Sequence, residues 1–357
     1  MILTKKIIFK PNETESIVLR LLSFASAKLW NIGNYEKHNY KMLGLEKYPN
    51  WYEQKKRLKT EFWYKNLPSQ TAQEVLNMLE KSWKSFFKLK ETGGVENPNP
   101  PKYKKFNNFK YLRQGFIIDG DSLRFSLPKG LKIHLKDKYQ IEDNYLTLKI
   151  KGFSELDLTV KEIEFKPLKD GDYQINITHE VEAQTKKDDN GNYLSIDLGI
   201  TNMMTCYDNL NGKSFIINGK QWLSINRYFD KKIGYYQSIS DAQQSAKGIK
   251  YPKKSKRVIS LYEKRSKQIS HLLHSATKEI VDYCVTNDIS KVIIGDITHI
   301  REDANFGKVN NQKLHKFPFA KIYSLLDYKL VLKGIEFNKQ NEAYSSQCSP
   351  LSTEVSK

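Results

Sequence analysis

Apolar positions recur every three or four residues early in the chain. Ile17, Leu21, Phe24, Ala25, Leu29 and Ile32 share one stripe, which predicts a helix over residues 14–39 with Thr14 or Asn12 as its cap. A second helix is expected over 51–63. A third starts at Ser69, where Ala72, Val75, Leu76, Leu79, Trp83 and the pair Phe86-Phe87 repeat the spacing. Ahead of these, residues 2–10 alternate enough to be a strand ended by Pro11, and the run ETGGVENPNPP at 91–101 reads as a linker.

The period then shortens. Between Phe116 and Glu182 the runs 122–127, 145–150 and 173–180 alternate and are separated by turns such as Asp119-Gly120 and Asp170-Gly171; this predicts a small antiparallel sheet or barrel. Beyond the turn Asp189-Asn190-Gly191, strands are expected at 193–197, 203–207 and 214–218. A helix over 256–286 carries Ile269, Leu272, Leu273, Ala276, Ile280 and Cys284 on one face. VIIGD at 292–296 reads as a buried strand, 319–333 as a helix, and 334–337 as the start of another strand. Sheet first, then helix, strand, helix and strand, is the order of an RNase H-like α/β fold.

Composition narrows the partners. At 357 residues the chain exceeds what one core usually organises, so an α+β multidomain protein is expected. Lys and Arg number 59 against 40 Asp and Glu, a net charge of +19 spread along the length. Such a balance points to nucleic acid, with a membrane surface as the rival partner. No apolar run of membrane-spanning length and no signal peptide is found, so no membrane partner and a cytoplasmic, nucleoid-associated location are expected. The three cysteines, Cys206, Cys284 and Cys348, are widely spaced, which argues against a disulfide framework.

Four segments hold candidate chemistry. In SIDLGITN (195–202) an apolar strand delivers Asp197, and Gly199 lets the backbone turn beside it, leaving room for a cation and a phosphate; read alone, the same string also fits a buried strand ending in a turn. Across 247–267, Lys253, Lys254, Lys256, Arg257, Lys264, Arg265 and three further lysines face the single acid Glu263, a basic face suited to a phosphate backbone. KYKKFNNFK (102–110) interleaves Lys102, Lys104, Lys105 and Lys110 with Tyr103, Phe106 and Phe109; the rings either stack on unpaired bases or anchor a loop. Asn311, Gln312 and Lys313 lie in an amide-rich run that suits sugar or base edges, or simply begins a helix. His271 and His274 lack a third ligand nearby, and no C-x-x-C follows Cys348, so no zinc is expected. A phosphate-binding G-x-x-x-x-G-K-[ST] loop is missing, which disfavours an NTP-driven helicase.

In order along the chain, the strand and helices up to Lys90, the sheet region to Glu182, SIDLGITN, LYEKRSKQISHLLH (261–274), VIIGDITHIRED (292–303) and NEAYSSQCSPL (341–351) resemble the TnpB family. These are transposon-encoded RNA-guided nucleases related to the type V CRISPR effectors. The resemblance implies a first barrel strand (1–12), a helical recognition lobe (13–100), a β-barrel wedge (101–188) and a RuvC-like RNase H-fold domain (189–357) that is incomplete at its C-terminus. It also implies a guide RNA, a double-stranded DNA target with a short flanking motif, and a monomer bound to RNA.

Three departures from the family shape the expected activity. Gly295 stands where the family's second carboxylate usually sits, and Asp296 points to the other face by strand alternation. Glu342 is the candidate relocated second acid. The zinc-binding insertion and the third aspartate do not occur up to Lys357. Phosphodiester hydrolysis with two Mg²⁺ about 4 Å apart needs carboxylates from separate elements, so Asp197 and Glu342 make an incomplete Mg²⁺ site. The expectation is an RNA-guided DNA-binding protein with little or no nuclease activity; the alternative is a truncated form of an active Mg-dependent endonuclease.

Overall fold

The computed structural model describes residues 1–93, 95–156, 158–168, 170–297, 300 and 305–341. The chain divides into two units, Met1–Val181 and Glu182–Lys357.

The first unit begins with strand β1 (Ile2–Phe9) and helix α1 (Glu13–His38). Asn12 caps α1: its side chain accepts from the Glu15 amide, and the Glu15 carboxylate accepts from the Asn12 amide, which satisfies two otherwise orphaned donors. The expected second helix is broken into α2 (Trp51–Arg57), a 3₁₀ turn at Leu58–Thr60, and α3 (Phe62–Lys65). α4 (Ser69–Thr92) follows, with Ser69 inside the helix and Pro68 at the cap position. Val18, Leu19, Leu22 and Leu29 of α1 share a core with Ala72, Val75, Leu76 and Leu79 of α4.

The remaining elements are β2 (Phe109–Leu112), β3 (Phe116–Asp119), β4 (Ser122–Ser126), α5 (Lys129–Tyr139), β5 (Tyr145–Lys149), β6 (Thr159–Pro167) and β7 (Tyr173–Glu180). They form no closed barrel among the described residues, contrary to the sequence expectation. The strands divide into a four-stranded sheet, β1-β7-β6-β2, and a three-stranded sheet, β3-β4-β5. A 3₁₀ turn at Arg113–Gly115 interrupts the chain between β2 and β3, so ladder pairing does not continue from one sheet into the other. Alternation along each strand decides which side chains are buried, and both sheets bury theirs in the same core as α1 and α4.

The second unit contains β8 (Tyr193–Leu198), β9 (Asn202–Asp208), β10 (Ser214–Asn218), α6 (Lys220–Ser245), α7 (Lys256–Thr286), β11 (Lys291–Gly295), α8 (Lys308–Lys316), α9 (Phe319–Leu332) and β12 (Glu336–Gln340). Its sheet runs β10-β9-β8-β11-β12. The first three strands are antiparallel neighbours, whereas β8, β11 and β12 are parallel. Parallel neighbours require crossovers, which the helices supply. Leu194, Ile196, Met204, Cys206, Val292 and Ile294 form a core with Leu273, Ala276 and Ile280 of α7 and Ile322, Leu326 and Leu330 of α9. On the alternate positions, Asp197, Tyr207 and Ile216 remain exposed. α6 pairs with α7 as a hairpin, and beyond the sheet the two share a small separate core of Phe229, Ile233 and Val258.

Candidate functional site

Asp197 sits one residue from the end of β8, on the strand's exposed side. Strand register identifies its neighbours. Asp197 pairs with Thr205 of β9, and Thr205 with Ile216 of β10. On the other side Ile196 pairs with Ile294, so one residue further on Gly295 comes level with Asp197. Gly295 in turn pairs with Gln340 of β12. The row across the sheet is therefore Ile216, Thr205, Asp197, Gly295, Gln340, with one carboxylate in it. Asp296 has the opposite parity, and its amide donates to the Gln340 carbonyl at 2.7 Å. Glu342 lies outside the described residues.

A cleft of about 500 Å³ opens beside Asp197, lined also by Thr201, Asn202, Thr205 and Asn310. No described side chain donates a hydrogen bond to the Asp197 carboxylate, which leaves its lone pairs for a ligand. Two glycines shape the turn that follows. A Cβ on Gly199 would stand 2.8 Å from the Asn202 carbonyl oxygen, and one on Gly219 would stand 2.2 Å from that of Ile200. The Gly219 amide donates to Thr201 at 2.8 Å. The missing Cβ at Gly199 thus lets the Asn202 carbonyl approach the turn closely.

The donors around the cleft are hard oxygens, the kind Mg²⁺ selects. Among the described residues, however, no group of three or more His, Cys, Asp or Glu could hold a metal ion. His274 is pushed below the usual histidine range by burial, then by Lys329, Lys321 and His271, surroundings that oppose a cation.

The basic candidates divide into braced and open groups. Arg257 lies 3.8 Å from the centre of the Tyr236 ring and donates to its hydroxyl at 2.5 Å. Lys254 sits 4.3 Å over Tyr262, and Arg265 donates to Asp230 at 3.1 Å. The loop ahead of α7 is pinned where Gln244 bonds both the amide and the carbonyl of Lys253. Lys253, Lys256 and Lys264 point to solvent. The result is a basic surface on a braced frame, as a phosphate-tracking face requires.

The KYKKFNNFK segment is a strap laid along α1. Trp30 Nε1 donates to Lys102 O, Asn34 Nδ2 to Pro101 O, and Ser26 Oγ to Asn108 O; Asn31 bonds both the amide and the carbonyl of Lys104. This explains why α1 buries Ser26 and Asn34 in its face, whereas the buried Ser23 hydroxyl meets the Tyr173 hydroxyl at 3.2 Å. Lys102 and Lys105 are exposed, whereas Phe106 is 37% exposed and meets Phe24 edge-on at 6.3 Å.

Lys104 turns inward. Its Nζ lies 3.5 Å from the Trp30 ring centre and donates to Asn107 Oδ1 at 2.8 Å, and burial pushes its ammonium down to about 8. The unfolded lysine titrates at about 10.4, so between about pH 8 and pH 10.4 the unfolded chain binds more protons and stability rises with pH. Lys104→Met should abolish that increment when denaturation midpoints are compared at both ends of the window. An identical pH dependence in parent and variant would show a solvated Lys104, available to phosphate.

Asn311 accepts from the Phe306 amide at 3.0 Å and so braces the start of α8, while Gln312 and Lys313 are exposed. Sequence reasoning missed Thr205, and it put Asn310 in the amide-rich run without placing it beside Asp197; both reach the cleft only through strand pairing and helix placement. It also missed every contribution of α6, whose start at Gly219 has no capping side chain.

Residues 176–301, from β7 through β11, match the OrfB_IS605 family, described as a probable transposase. Over 363 aligned residues the chain is 24% identical to the TnpB-like protein ORF457 of Acidianus two-tailed virus, covering 93% of this chain and 75% of that one. A Cas12f1 protein solved with sgRNA and target DNA shares the fold, with a TM-score of 0.61 at 16% identity over 97% of this chain and 76% of the other. The chain therefore has an α+β fold like that of the Cas12f1 protein, and its residues 176–301 are similar to a transposase family. It is similar to TnpB-like proteins along most of its length.

Proposed function

We propose that this chain is an RNA-guided DNA-binding protein whose second unit is a RuvC-type, RNase H-like domain with weak cutting activity. The sheet order supports that domain assignment: two antiparallel strands flank β8 on one side and two parallel strands on the other, with Asp197 on the central strand. By the same reading residues 13–100 form the recognition lobe, β1 and 101–188 the wedge, and 189–357 the RuvC-like domain. Guide pairing supplies sequence recognition, and the protein grips phosphates and A-form shape. The braced basic face of the α6–α7 hairpin supports that role. No described helix is long and apolar enough to cross a membrane, and a cytoplasmic setting fits a DNA target.

The observation that carries the weak-cutting reading is the row in which Asp197 stands beside Gly295 and, beyond it, Gln340. Asp197 would hold Mg²⁺, assisted by the side-chain oxygens of Asn202 and Asn310. The ion, when bound, polarises a phosphodiester oxygen. Thr205 and Asn310 orient the scissile group, and Leu314 and Phe319, which also line the cleft, restrict water on that wall. No second described carboxylate on the row can help hold a pair of ions or take a proton from the attacking water.

The test is purification from the native host under low salt, followed by sequencing of bound RNA. One discrete RNA species should be enriched, and the complex should retain DNA matching its guide segment in preference to scrambled DNA. Random RNA fragments and no matched-DNA preference would overturn the guided reading.

A further inference from the structure

Helix α8 divides two clefts. Asn310 and Leu314 face the Asp197 cleft, while Val309, Gln312, Lys313 and Lys316 line a second cleft of about 640 Å³ whose other wall is α6. The two sets are neighbouring stripes on one helix, each spaced by three or four residues. The second cleft is basic. Arg227, Lys231, Lys313 and Lys316 face one acid, Asp230. That acid is already committed, since it accepts from Arg265 at 3.1 Å and from Lys316 at 2.7 Å. Arg227, Lys231 and Lys313 are exposed and form no ion pair with a described residue.

Trp222 contributes a buried wall. It is 1% exposed, its ring meets Phe317 edge-on at 5.0 Å, and its buried indole N–H has no hydrogen-bond partner. A buried donor without an acceptor is costly, and Trp222 stands on the wall of this cleft.

We propose that the α6–α8 cleft seats backbone phosphates of the nucleic-acid strand that crosses α8 to reach Asp197. The inference rests on the nuclease-type reading of the Asp197 cleft and deepens it, because it assigns α6 and α8 the positioning of the strand. Three uncommitted cations in one concavity match successive phosphates, and the exposed Gln312 amide can bond a sugar or base edge without demanding a sequence. Arg227, Lys231 and Lys313 are then positioning residues, since they act on the strand away from the scissile bond.

The test uses the full chain and a 12-nucleotide oligothymidine, about the site size of a single-strand groove. Anisotropy is followed against salt for the parent and for the double variant Arg227→Gln/Lys313→Gln. Single strands lose about 0.7 in the slope of log K against log salt per phosphate contact, so the double variant should lose about 1.4 while melting like the parent. In ¹⁵N-tryptophan protein, the Nε1–H resonance that Trp222→Phe deletes should move when oligothymidine is added to the parent. An unchanged slope and a stationary Trp222 resonance, with binding intact, would overturn the cleft assignment alone. Movement of that resonance with polyglutamate but not with oligothymidine would assign the cleft to an acidic protein and also overturn it. A parent chain that binds no oligonucleotide at all would remove the nuclease-type reading, and this inference with it.

Discussion

In Mg²⁺, the guide-bound chain is expected to hold matched DNA and cut it about a thousandfold more slowly than a complete two-metal site would. That deficit corresponds to about 4 kcal/mol of lost transition-state stabilisation. Gly295→Glu should recover much of it, on the order of a hundredfold in rate. The reason is geometric: Gly295 is level with Asp197 on the neighbouring parallel strand, so a carboxylate there would share a cation with Asp197. Asp197→Ala should remove residual cutting while leaving matched-DNA binding unchanged. Asp296→Asn should be milder, since Asp296 has the other parity. Single-turnover cleavage of a labelled duplex measures these four proteins and Glu342→Gln. Fast cutting by the parent that survives Asp197→Ala would sink the assignment of the site. Fast cutting that is lost with Asp197→Ala and also with Glu342→Gln would make Glu342 the second acid and overturn the weak-cutting reading.

Removing the charges at the α6–α7 tip should have the next largest effect. Replacing Lys253, Lys254, Lys256 and Arg257 by Ala should flatten the slope of log K against log salt by about 3.6 on duplex DNA, at roughly 0.9 per phosphate contact. Between about 50 and 200 mM salt, that difference amounts to roughly a hundredfold in affinity. Arg257 needs its own control, because it stacks on Tyr236 beside the small core of Phe229, Ile233 and Val258. Arg257→Lys keeps the charge and loses the planar stack. It should lower the melting temperature with little change in slope. A quadruple variant with the parent's slope would take this surface out of the binding interface.

These expectations draw unequally on sequence and structure. The strands at Tyr193–Leu198 and Tyr173–Glu180 and the helix Lys256–Thr286 were legible in the sequence, because each buries a clean periodic stripe; Ser214–Asn218, which buries only Ile217, was legible from the turn at Asn211-Gly212 ahead of it. α6 was not. Its buried positions are Trp222, Asn226, Phe229, Ile233 and Ser240, so two of the five are polar and the apolar rhythm fails where the helix meets its partner. α5 buries only Leu131 and Leu135, too little to stand out against flanking strands. The expected barrel failed for a related reason: alternation marks a strand but not its partners, and the strands divide into two separate sheets, β1-β7-β6-β2 and β3-β4-β5.

The candidate site divides the same way. The sequence by itself determined that Asp197 lies near the end of an apolar strand beside a glycine turn and that positive charge gathers between residues 247 and 267; that Gly295 stands in a carboxylate's usual place was implied only by the family resemblance. Side-chain chemistry and local period are enough for the first two, because both are properties of neighbouring residues. Only the tertiary structure decided that Gly295 and Gln340 stand in Asp197's row, that Lys104 faces Trp30 instead of solvent, and that α8 carries one stripe to Asp197 and another to Trp222. Each of these depends on which distant segments pair and in what register. Burial and hydrogen bonding across the whole core select that pairing.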